Sequence, residues 1–185
     1  MLILASASPR RREILTAARI PFTVQVANVP EAPRADENPE QYARRLACEK
    51  AQAVRQQNPS SVVLGADTIV VVDGAILEKP VNDQDAARML RRLSGRTHQV
   101  LTGVCLAGSG FEDTRLESTT VTMQRLSDEE IRGYVSTGEP KDKAGAYAIQ
   151  GIASRWISRI EGDYFNVVGL PVSLVYRMLL ERGCL

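Results

Sequence analysis

Apolar residues recur along the chain with helical spacing in some stretches and strand-like spacing in others, which predicts a mixed α/β protein. Leu2 to Ala5 is a short apolar run typical of a buried strand. Ser8-Pro9 then supplies an N-cap and a proline at the first helical position, so a helix is predicted to about Ala18. Ile20 to Ala27 is predicted to be a second strand, and the proline-rich stretch from Pro30 to Pro39 a loop.

The middle of the chain combines a long helical pattern with a strongly β-branched segment. Between Glu40 and about Gln57, apolar residues recur at helical spacing. Val62 to Val72 is nearly continuously apolar, which predicts a strand buried on both faces. Asp73-Gly74 is a hairpin turn signal that leads into a return strand from Ala75 to Leu77.

The second half of the chain continues the alternation of helices and strands. Ser127 and Glu130 form a capping-box pattern, so a helix is predicted from there to about Gly138. The other predicted elements are a helix from Asn82 to Leu93, a hairpin of His98 to Ala107 with Glu117 to Arg125 around Gly108-Ser109-Gly110, a strand from Trp156 to Ile160 and a last helix to about Glu181. No linker or internal repeat interrupts this order, which predicts one domain over residues 1–185.

Charge and hydropathy exclude several classes of protein. Lys plus Arg is 23 and Asp plus Glu is 22, so the formal net charge is only +1 and leaves no excess positive field to bind a nucleic acid by charge alone. No apolar stretch reaches the roughly 20 residues of a membrane span, and the N-terminal run lacks the preceding positive charges of a signal peptide. A cytoplasmic protein is therefore expected.

Cysteine and histidine counts limit the chemistry further. Three widely spaced cysteines without a Cys-x-x-Cys pair are read as reduced thiols. His98 is the single histidine, so sites that need two histidines are excluded and a catalytic metal must use oxygen ligands. His98 lies at the start of a predicted strand, where a structural hydrogen-bonding role is favoured over a catalytic one.

Three stretches carry candidate chemistry. Ser6 to Arg11 is a strand-to-helix turn that could bind an anion, although ordinary helix capping explains Ser8 and Pro9 equally well. Asp67 interrupts the apolar strand, and a buried carboxylate requires a cation, a proton, a helix N-terminus or a salt bridge. Glu78-Lys79-Pro80 follows the hairpin. With Glu31 and Lys50, these residues could hold a hard divalent cation and neutralise a polyphosphate.

Six stretches, spread in order from the N-terminus to near the C-terminus, resemble the Maf family of nucleoside triphosphate pyrophosphatases, also called septum formation inhibitor Maf proteins. They are Ser6-Ala7-Ser8-Pro9-Arg10-Arg11, Gly65-Ala66-Asp67-Thr68, Glu78-Lys79-Pro80, Ser94-Gly95-Arg96-Thr97-His98, Gly138 to Gly151, and Asn166-Val167-Val168-Gly169-Leu170-Pro171. The combination is highly specific, although no single stretch is.

The resemblance implies a fold, a reaction and a cofactor. The fold would be a mixed, elongated β-sheet flanked by helices, with two lobes and a cleft, similar to inosine triphosphate pyrophosphatases. The reaction would be hydrolysis of a nucleoside triphosphate to the monophosphate and pyrophosphate, with Mg²⁺ or Mn²⁺ as the divalent cation. A homodimer is compatible with the family, and neither a nucleic acid nor a membrane partner is expected.

The sequence of one segment implies which branch of the family the chain resembles, and so which substrate it would take. This segment resembles the branch of the family that acts on dTTP and UTP, and the resemblance implies that modified pyrimidine nucleotides are substrates as well. The residues that carry this resemblance are Asp142-Lys143-Ala144-Gly145-Ala146-Tyr147 and Ile149-Gln150-Gly151. The residues matching Arg10, Thr68 and Gln150 are associated there with base choice, and the residue matching Asp67 with accepting a proton. Ala153 stands where many members have a second glycine, so a positive φ at this position would strain the backbone.

These inferences combine into one hypothesis about the site. Asp67 and Glu31 are assigned to the cation and the attacking water, with Asp67 as general base. Ser8, Arg10, Arg11, Lys50 and Lys79 are assigned to the phosphates, and Thr68 and Gln150 to the base. The alternatives are a 7-methyl-GTP pyrophosphatase, a phosphotransferase, which the absence of a P-loop motif disfavours, and a non-enzymatic regulator of cell division.

Overall fold

The computed structural model describes all 185 residues and contains seven strands, six α-helices and three 3-10 segments. The strands are β1 Leu2–Leu4, β2 Thr23–Val24, β3 Val62–Val72, β4 Ala75–Leu77, β5 Thr97–Gly108, β6 Phe111–Met123 and β7 Ile157–Glu161. The helices are α1 Pro9–Ala17, α2 Pro39–Arg55, α3 Asp83–Leu93, α4 Asp128–Ser136, α5 Tyr164–Val168 and α6 Val172–Glu181. The 3-10 segments are Glu139–Asp142, Ala144–Ala146 and Ile152–Trp156.

All seven strands belong to one mixed sheet. Its order is β2-β1-β3-β5-β6-β7, and β4 pairs with β3 beside this path. β1 pairs in parallel with β2 and β3, whereas β3 with β4 and β6 with β7 are antiparallel pairs. The predicted mixed α/β fold, a sheet flanked by helices, is confirmed.

Several local predictions match the structure closely because short-range chemistry determines them. β3 spans the predicted residues and is buried along most of its length. Asp73 and Gly74 have φ of 50° and 73°, the positive values that a two-residue hairpin turn requires. At α4, Ser127 and Glu130 form the predicted capping box.

Three elements differ from the predictions in their bounds, and one helix was not predicted. The strand predicted from Ile20 to Ala27 is wrong in extent, because only Thr23–Val24 pairs, as an exposed edge against β1. β6 begins at Phe111 rather than Glu117, and its polar first half is stabilised by ion pairs such as Asp113 with Arg115. α2 begins at Pro39, inside the predicted loop, and α5 was not predicted.

The chain divides into two compact units. The first contains residues 1–68, 102–117 and 169–185, and the second contains residues 69–101 and 118–168. A core of the first unit joins β1, α2, β3 and β5 through residues such as Ile3, Ala47 and Val63. The core of the second unit includes Leu90, Tyr134 and Trp156. None of the six α-helices combines the length and the hydropathy that spanning a bilayer would require.

Candidate active site

Three charged side chains predicted from separate parts of the sequence meet in the first unit. Lys50 Nζ lies 2.6 Å from Asp67 Oδ1 and 2.6 Å from Glu31 Oε1. Asp67 lies in the middle of β3 and is 7% exposed, and Lys50 on α2 is 8% exposed. Glu31 comes from the exposed segment between β2 and α2. The cost of burying Asp67 is therefore offset by an ion pair with Lys50.

Two glycines allow α2 to approach the sheet closely enough to form this ion pair. A Cβ atom on Gly65 of β3 would lie 2.1 Å from the Ala47 carbonyl oxygen, and one on Gly103 of β5 would lie 2.2 Å from the Ala43 carbonyl oxygen. Ala43, Ala47 and Ala51 recur every four residues along α2, so they form one face of small side chains. This backbone-to-backbone packing places Lys50 beside Asp67.

The two carboxylates have the chemistry of a divalent-cation site. Glu31 and Asp67 each direct one oxygen to the same point, which the Lys50 ammonium group takes in this structure. Mg²⁺ and Mn²⁺ prefer carboxylate oxygens, and a site with two acidic groups satisfies that preference. Glu31 and Asp67 are therefore the residues of this cluster that could hold a hard divalent cation.

Arg11 is buried and makes four hydrogen bonds within the first unit. Its Nε donates to the Gly169 carbonyl at 2.8 Å, and Nη1 donates to the Ala66 carbonyl at 2.8 Å and to Ser6 Oγ at 3.1 Å. Its Nη2 donates to Thr68 Oγ1 at 3.1 Å. Burial lowers the pKa of the guanidinium, and the charge of Asp67 opposes that shift. Arg11 thus ties α1 to both neighbours of Asp67 on β3, through the backbone carbonyl of Ala66 and the side-chain hydroxyl of Thr68.

The turn before α1 has the predicted capping geometry. Ser8 is the N-cap, its side chain accepts from the Arg11 backbone N–H, and Pro9 is the first helical residue. The Ser8 N–H itself donates to Ser6 Oγ at 3.2 Å. Arg10 follows on α1, half-buried, and its binding of a phosphate stays a prediction.

Thr68 lies directly after Asp67 and is fixed by other residues of the first unit. Its hydroxyl lies 2.9 Å from the Thr102 hydroxyl and donates to the Gly169 carbonyl at 3.2 Å. The hydroxyl also accepts from Arg11. Its part in base choice stays a prediction.

Lys79 and Gln150 belong to the second unit, and both are exposed. Lys79 follows β4, and Gln150 lies between two 3-10 segments. The substitution at Ala153 does not strain the backbone, because Ala153 is not among the residues with positive φ. Ala146, with φ of 60°, has the left-handed conformation instead.

His98 has the structural role that the sequence favours. It is buried in the second unit, and its Nε2 lies 2.8 Å from the hydroxyl of Tyr147. Its Nδ1 is buried and makes no hydrogen bond, so a protonated ring would carry a buried unpaired N–H. Burial lowers the pKa of His98 to about 4, which keeps the ring neutral at pH 7.

Ser6, Ala66 and Gly169 lie in stretches that the sequence pointed to, but their role as hydrogen-bond acceptors was not predicted. The carbonyl groups of Ala66 and Gly169 accept from Arg11, and Gly169 has φ of 127°. Ser6 accepts hydrogen bonds from both Arg11 and Ser8. The sequence signal for such acceptors is the doublet Arg10-Arg11 at the start of α1, because a positive side chain in the first turn opposes the helix dipole and requires an acceptor elsewhere.

The whole chain is similar to known proteins in sequence and fold. Residues 1–182 match the family model described as Maf-like protein. A dTTP/UTP pyrophosphatase of Koribacter versatilis is 60% identical over 184 residues, covering 100% of this chain and 95% of that protein. Another protein so named, from Symbiobacterium thermophilum, is 53% identical over 182 residues, covering 98% of this chain and 94% of that protein.

Two solved structures share the fold at low sequence identity. The HAM1 protein of Coxiella burnetii has a TM-score of 0.57 and 16% identity, covering 97% of this chain and 98% of that one. The Ham1 protein of Staphylococcus aureus has a TM-score of 0.55 and 12% identity, covering 98% of both chains. The full-length match to the family model and to both relatives establishes that the chain belongs to the Maf-like protein family.

Proposed function

We propose that this protein hydrolyses dTTP and UTP to the nucleoside monophosphate and pyrophosphate. The observation that carries the proposal is the buried Asp67–Lys50 pair with Glu31, in a chain 60% identical over its full length to a protein named dTTP/UTP pyrophosphatase. A paired acid and base with an additional carboxylate suits the cleavage of a polyphosphate, because the reaction transfers a proton and develops negative charge.

Asp67 is the proposed general base. The bond to be cleaved joins the α and β phosphates, so a water molecule must attack the α phosphorus opposite the pyrophosphate leaving group. Asp67 Oδ2 is the oxygen that would accept the proton of that water, while Oδ1 accepts from Lys50. Because Asp67 lies in the middle of β3 and Lys50 of α2 bonds its carboxylate, Asp67 needs little reorganisation to act.

Glu31 and Asp67 are the proposed cation ligands. The divalent cation, when bound, would withdraw negative charge from the phosphate oxygens. Mg²⁺ and Mn²⁺ are both compatible with two carboxylate ligands, and the rest of the shell would come from water and phosphate oxygens. The Lys50 ammonium group would neutralise charge in the same cluster.

The other basic residues have different proposed roles. Arg10 and Lys79 are assigned to the phosphates, together with backbone N–H groups around Ser8 at the start of α1. Arg11 was assigned to the phosphates as well, and its four internal hydrogen bonds support a role in fixing the Asp67 region at the same time.

Gln150 is the proposed reader of the base, with Thr68 and Arg10. Its amide can offer one donor and one acceptor to the O4 and N3–H edge that thymine and uracil share. The two bases differ by one methyl group, which a hydrophobic pocket distinguishes by only about 1–3 kcal/mol. Both nucleotides are therefore proposed substrates. Cytoplasmic action as a homodimer stays a prediction.

A substrate panel tests the proposal. The purified protein is incubated with Mg²⁺ or Mn²⁺ and separately with dTTP, UTP, CTP, ATP, GTP and 7-methyl-GTP, and pyrophosphate and phosphate are assayed independently. Pyrophosphate should form fastest from dTTP and UTP. Preference for 7-methyl-GTP would reject the proposed base specificity, and release of phosphate alone would reject the reaction.

A further inference from the structure

A hydrogen-bonded pair of side chains in the second unit holds the segment that carries Gln150. Tyr134 Oη accepts from the Ala148 N–H at 3.1 Å and donates to Glu139 Oε1 at 2.8 Å. The Ile152 N–H donates to the same carboxylate, at 3.1 Å and 3.3 Å to its two oxygens. The pair therefore binds the backbone two residues before Gln150 and two residues after it.

The glycine after Gln150 makes this contact possible. A Cβ atom on Gly151 would lie 2.4 Å from Glu139 Oε1 and 2.6 Å from Oε2. Any other residue would push the carboxylate away from the Ile152 N–H. Glu139 is itself oriented by the end of α4, where its N–H donates to Thr137 Oγ1 at 3.2 Å.

The tyrosine of the pair is rigidly held. Its ring is buried and packs edge-on against Trp156, with ring centroids 5.3 Å apart. The Trp156 Nε1–H donates to Glu130 Oε1 at 3.1 Å, which connects this stack to the capping box of α4. Burial raises the pKa of Tyr134, so its hydroxyl keeps the proton that it donates to Glu139.

We infer that Tyr134 and Glu139 are positioning residues that set the orientation of the Gln150 amide and thereby the choice of base. This inference rests on the proposed role of Gln150. An amide in a fixed orientation presents donor and acceptor in one order, which matches thymine and uracil but not cytosine, whose exocyclic group is a donor. Loss of either anchor allows the amide to turn and to accept the cytosine edge.

The test compares Tyr134→Phe and Glu139→Gln with the exposed-tyrosine control Tyr176→Phe. The ratio of kcat/KM for dTTP to that for CTP should fall about tenfold in Tyr134→Phe, mainly through KM, as expected for losing one or two hydrogen bonds. Glu139→Gln keeps an acceptor oxygen, so the same ratio should fall less in this variant. A wild-type ratio in Tyr134→Phe would overturn the inference.

The double variant with Gln150→Ala separates this inference from the proposed function. If the pair acts through Gln150, adding Tyr134→Phe to Gln150→Ala should change the base ratio no further. A wild-type ratio in Gln150→Ala alone would refute the role of Gln150 and with it the inference. A ratio that changes in Gln150→Ala but not in Tyr134→Phe would refute the pair alone.

A separate cluster in the first unit has the ligands of a soft metal ion. The sulfur atoms of Cys48 and Cys105 and a carboxylate oxygen of Glu112 all lie within 4.8 Å of one another. Cys105 is buried on β5, Cys48 is half-buried on α2, and Glu112 on β6 is exposed, so an ion could enter from the Glu112 side. Gln52 donates a hydrogen bond to the Glu112 carboxylate and orients it.

The geometry points to a site for Zn²⁺ or a similar thiophilic cation on Cys48, Cys105 and Glu112. Tetrahedral zinc with bonds of about 2.3 Å to sulfur places two sulfurs roughly 3.8 Å apart, which this cluster can meet with small side-chain movements. Burial raises the pKa of both thiols, so only a cation that binds thiolate strongly could displace their protons. Two thiols and one carboxylate leave a fourth position for water.

The site is tested with Zn²⁺ and with Cd²⁺, whose thiolate complexes absorb in the ultraviolet. The reduced protein should bind one equivalent of Cd²⁺ with a charge-transfer band, and Cys48→Ser should abolish the band while the matched control Cys184→Ser keeps it. Glu112→Gln should weaken binding about tenfold or more, because it replaces the carboxylate ligand by a neutral amide, and even the loss of a group that only orients a ligand costs about tenfold. An unchanged band in Cys48→Ser, or no band in the wild type, would overturn the site.

Discussion

At the scale of single residues, Asp67 is a charged group that is buried in the core of the first unit. Its carboxylate lies within an apolar strand, and it remains there because Lys50 approaches to 2.6 Å. Removing one partner of such a pair leaves an uncompensated buried charge. A test of Asp67 must therefore keep its shape and its hydrogen bond to Lys50.

The substitution Asp67→Asn should reduce kcat for dTTP by a hundredfold or more, because the amide cannot accept the proton of the attacking water. The amide oxygen can still accept from Lys50, so the fold should persist by circular dichroism. Asp128→Asn, at an exposed ion pair with Arg91, is the control and should leave kcat unchanged. Near-normal turnover in Asp67→Asn would remove this residue from the mechanism.

The substitution Gln150→Glu should change the order of substrates but not the products. A carboxylate offers only acceptors, so the N3–H group of thymine could still be bound while the O4 acceptor would be repelled. The kcat/KM values for dTTP, UTP and CTP measure the change, with pyrophosphate as product throughout. If the order of the three nucleotides were retained, the base-reading role of Gln150 would be refuted.

His98 should make the free energy of unfolding depend on pH. Its pKa is about 4 in the folded protein and near its ordinary value of 6.5 in the unfolded chain, so only the unfolded chain binds the proton between these values. Stability should therefore fall as pH falls from about 6.5 to about 4, by about 3 kcal/mol in total. Urea unfolding of wild type and His98→Gln measures the difference, and identical pH slopes would contradict it.

At the scale of elements, the close packing of α2 against the sheet determines the geometry of the candidate site. Gly65 and Gly103 bring the backbones of β3 and β5 against the Ala43, Ala47 and Ala51 face of α2. Lys50 occupies the same helix, so its distance from Asp67 depends on this packing. The element, rather than the single ion pair, is what preorganises the charges.

The substitution Gly65→Ala should therefore impair both stability and activity. Its methyl group would meet backbone atoms of α2, which cannot move as a side chain could, so about 1–3 kcal/mol of stability should be lost. Displacement of Lys50 should lower kcat by up to about a hundredfold. Gly133→Ala on α4, where a Cβ atom meets nothing within 4 Å, is the control and should stabilise the fold by about 0.5–1 kcal/mol. Equal stability of the two variants would contradict the packing argument.

Elements with local signals were predictable, and those that depend on distant partners were not. The N-cap Ser8, the Asp73-Gly74 turn and the β3 strand follow from chemistry within a few residues. The shortness of β2 and the early start of β6 depend on which strands and ion pairs lie nearby, information that a local pattern lacks. In the same way, Lys50 and Asp67 were expected to share a site, but the ion pair between them was not predicted. The groups that accept hydrogen bonds from Arg11 were not predicted either.

At the scale of the whole molecule, the chain forms two compact units that contain different groups of the residues discussed above. The first contains the buried Lys50–Asp67 ion pair, the Glu31 carboxylate and the Arg11 hydrogen bonds. The second contains Lys79, Gln150 and the Tyr134–Glu139 pair that holds the Gln150 segment. The Lys50–Asp67 ion pair and the segment that carries Gln150 are thus supported by separate cores.

The central claim is that the protein directs water to the α phosphorus of dTTP or UTP, and the position of a heavy-oxygen label tests it most directly. Wild-type protein is incubated with dTTP and a divalent cation in water enriched in ¹⁸O, and the products are identified by mass spectrometry. The account predicts dTMP that carries one ¹⁸O atom together with unlabelled pyrophosphate. Label in pyrophosphate, release of dTDP and phosphate, or no turnover of dTTP would contradict it.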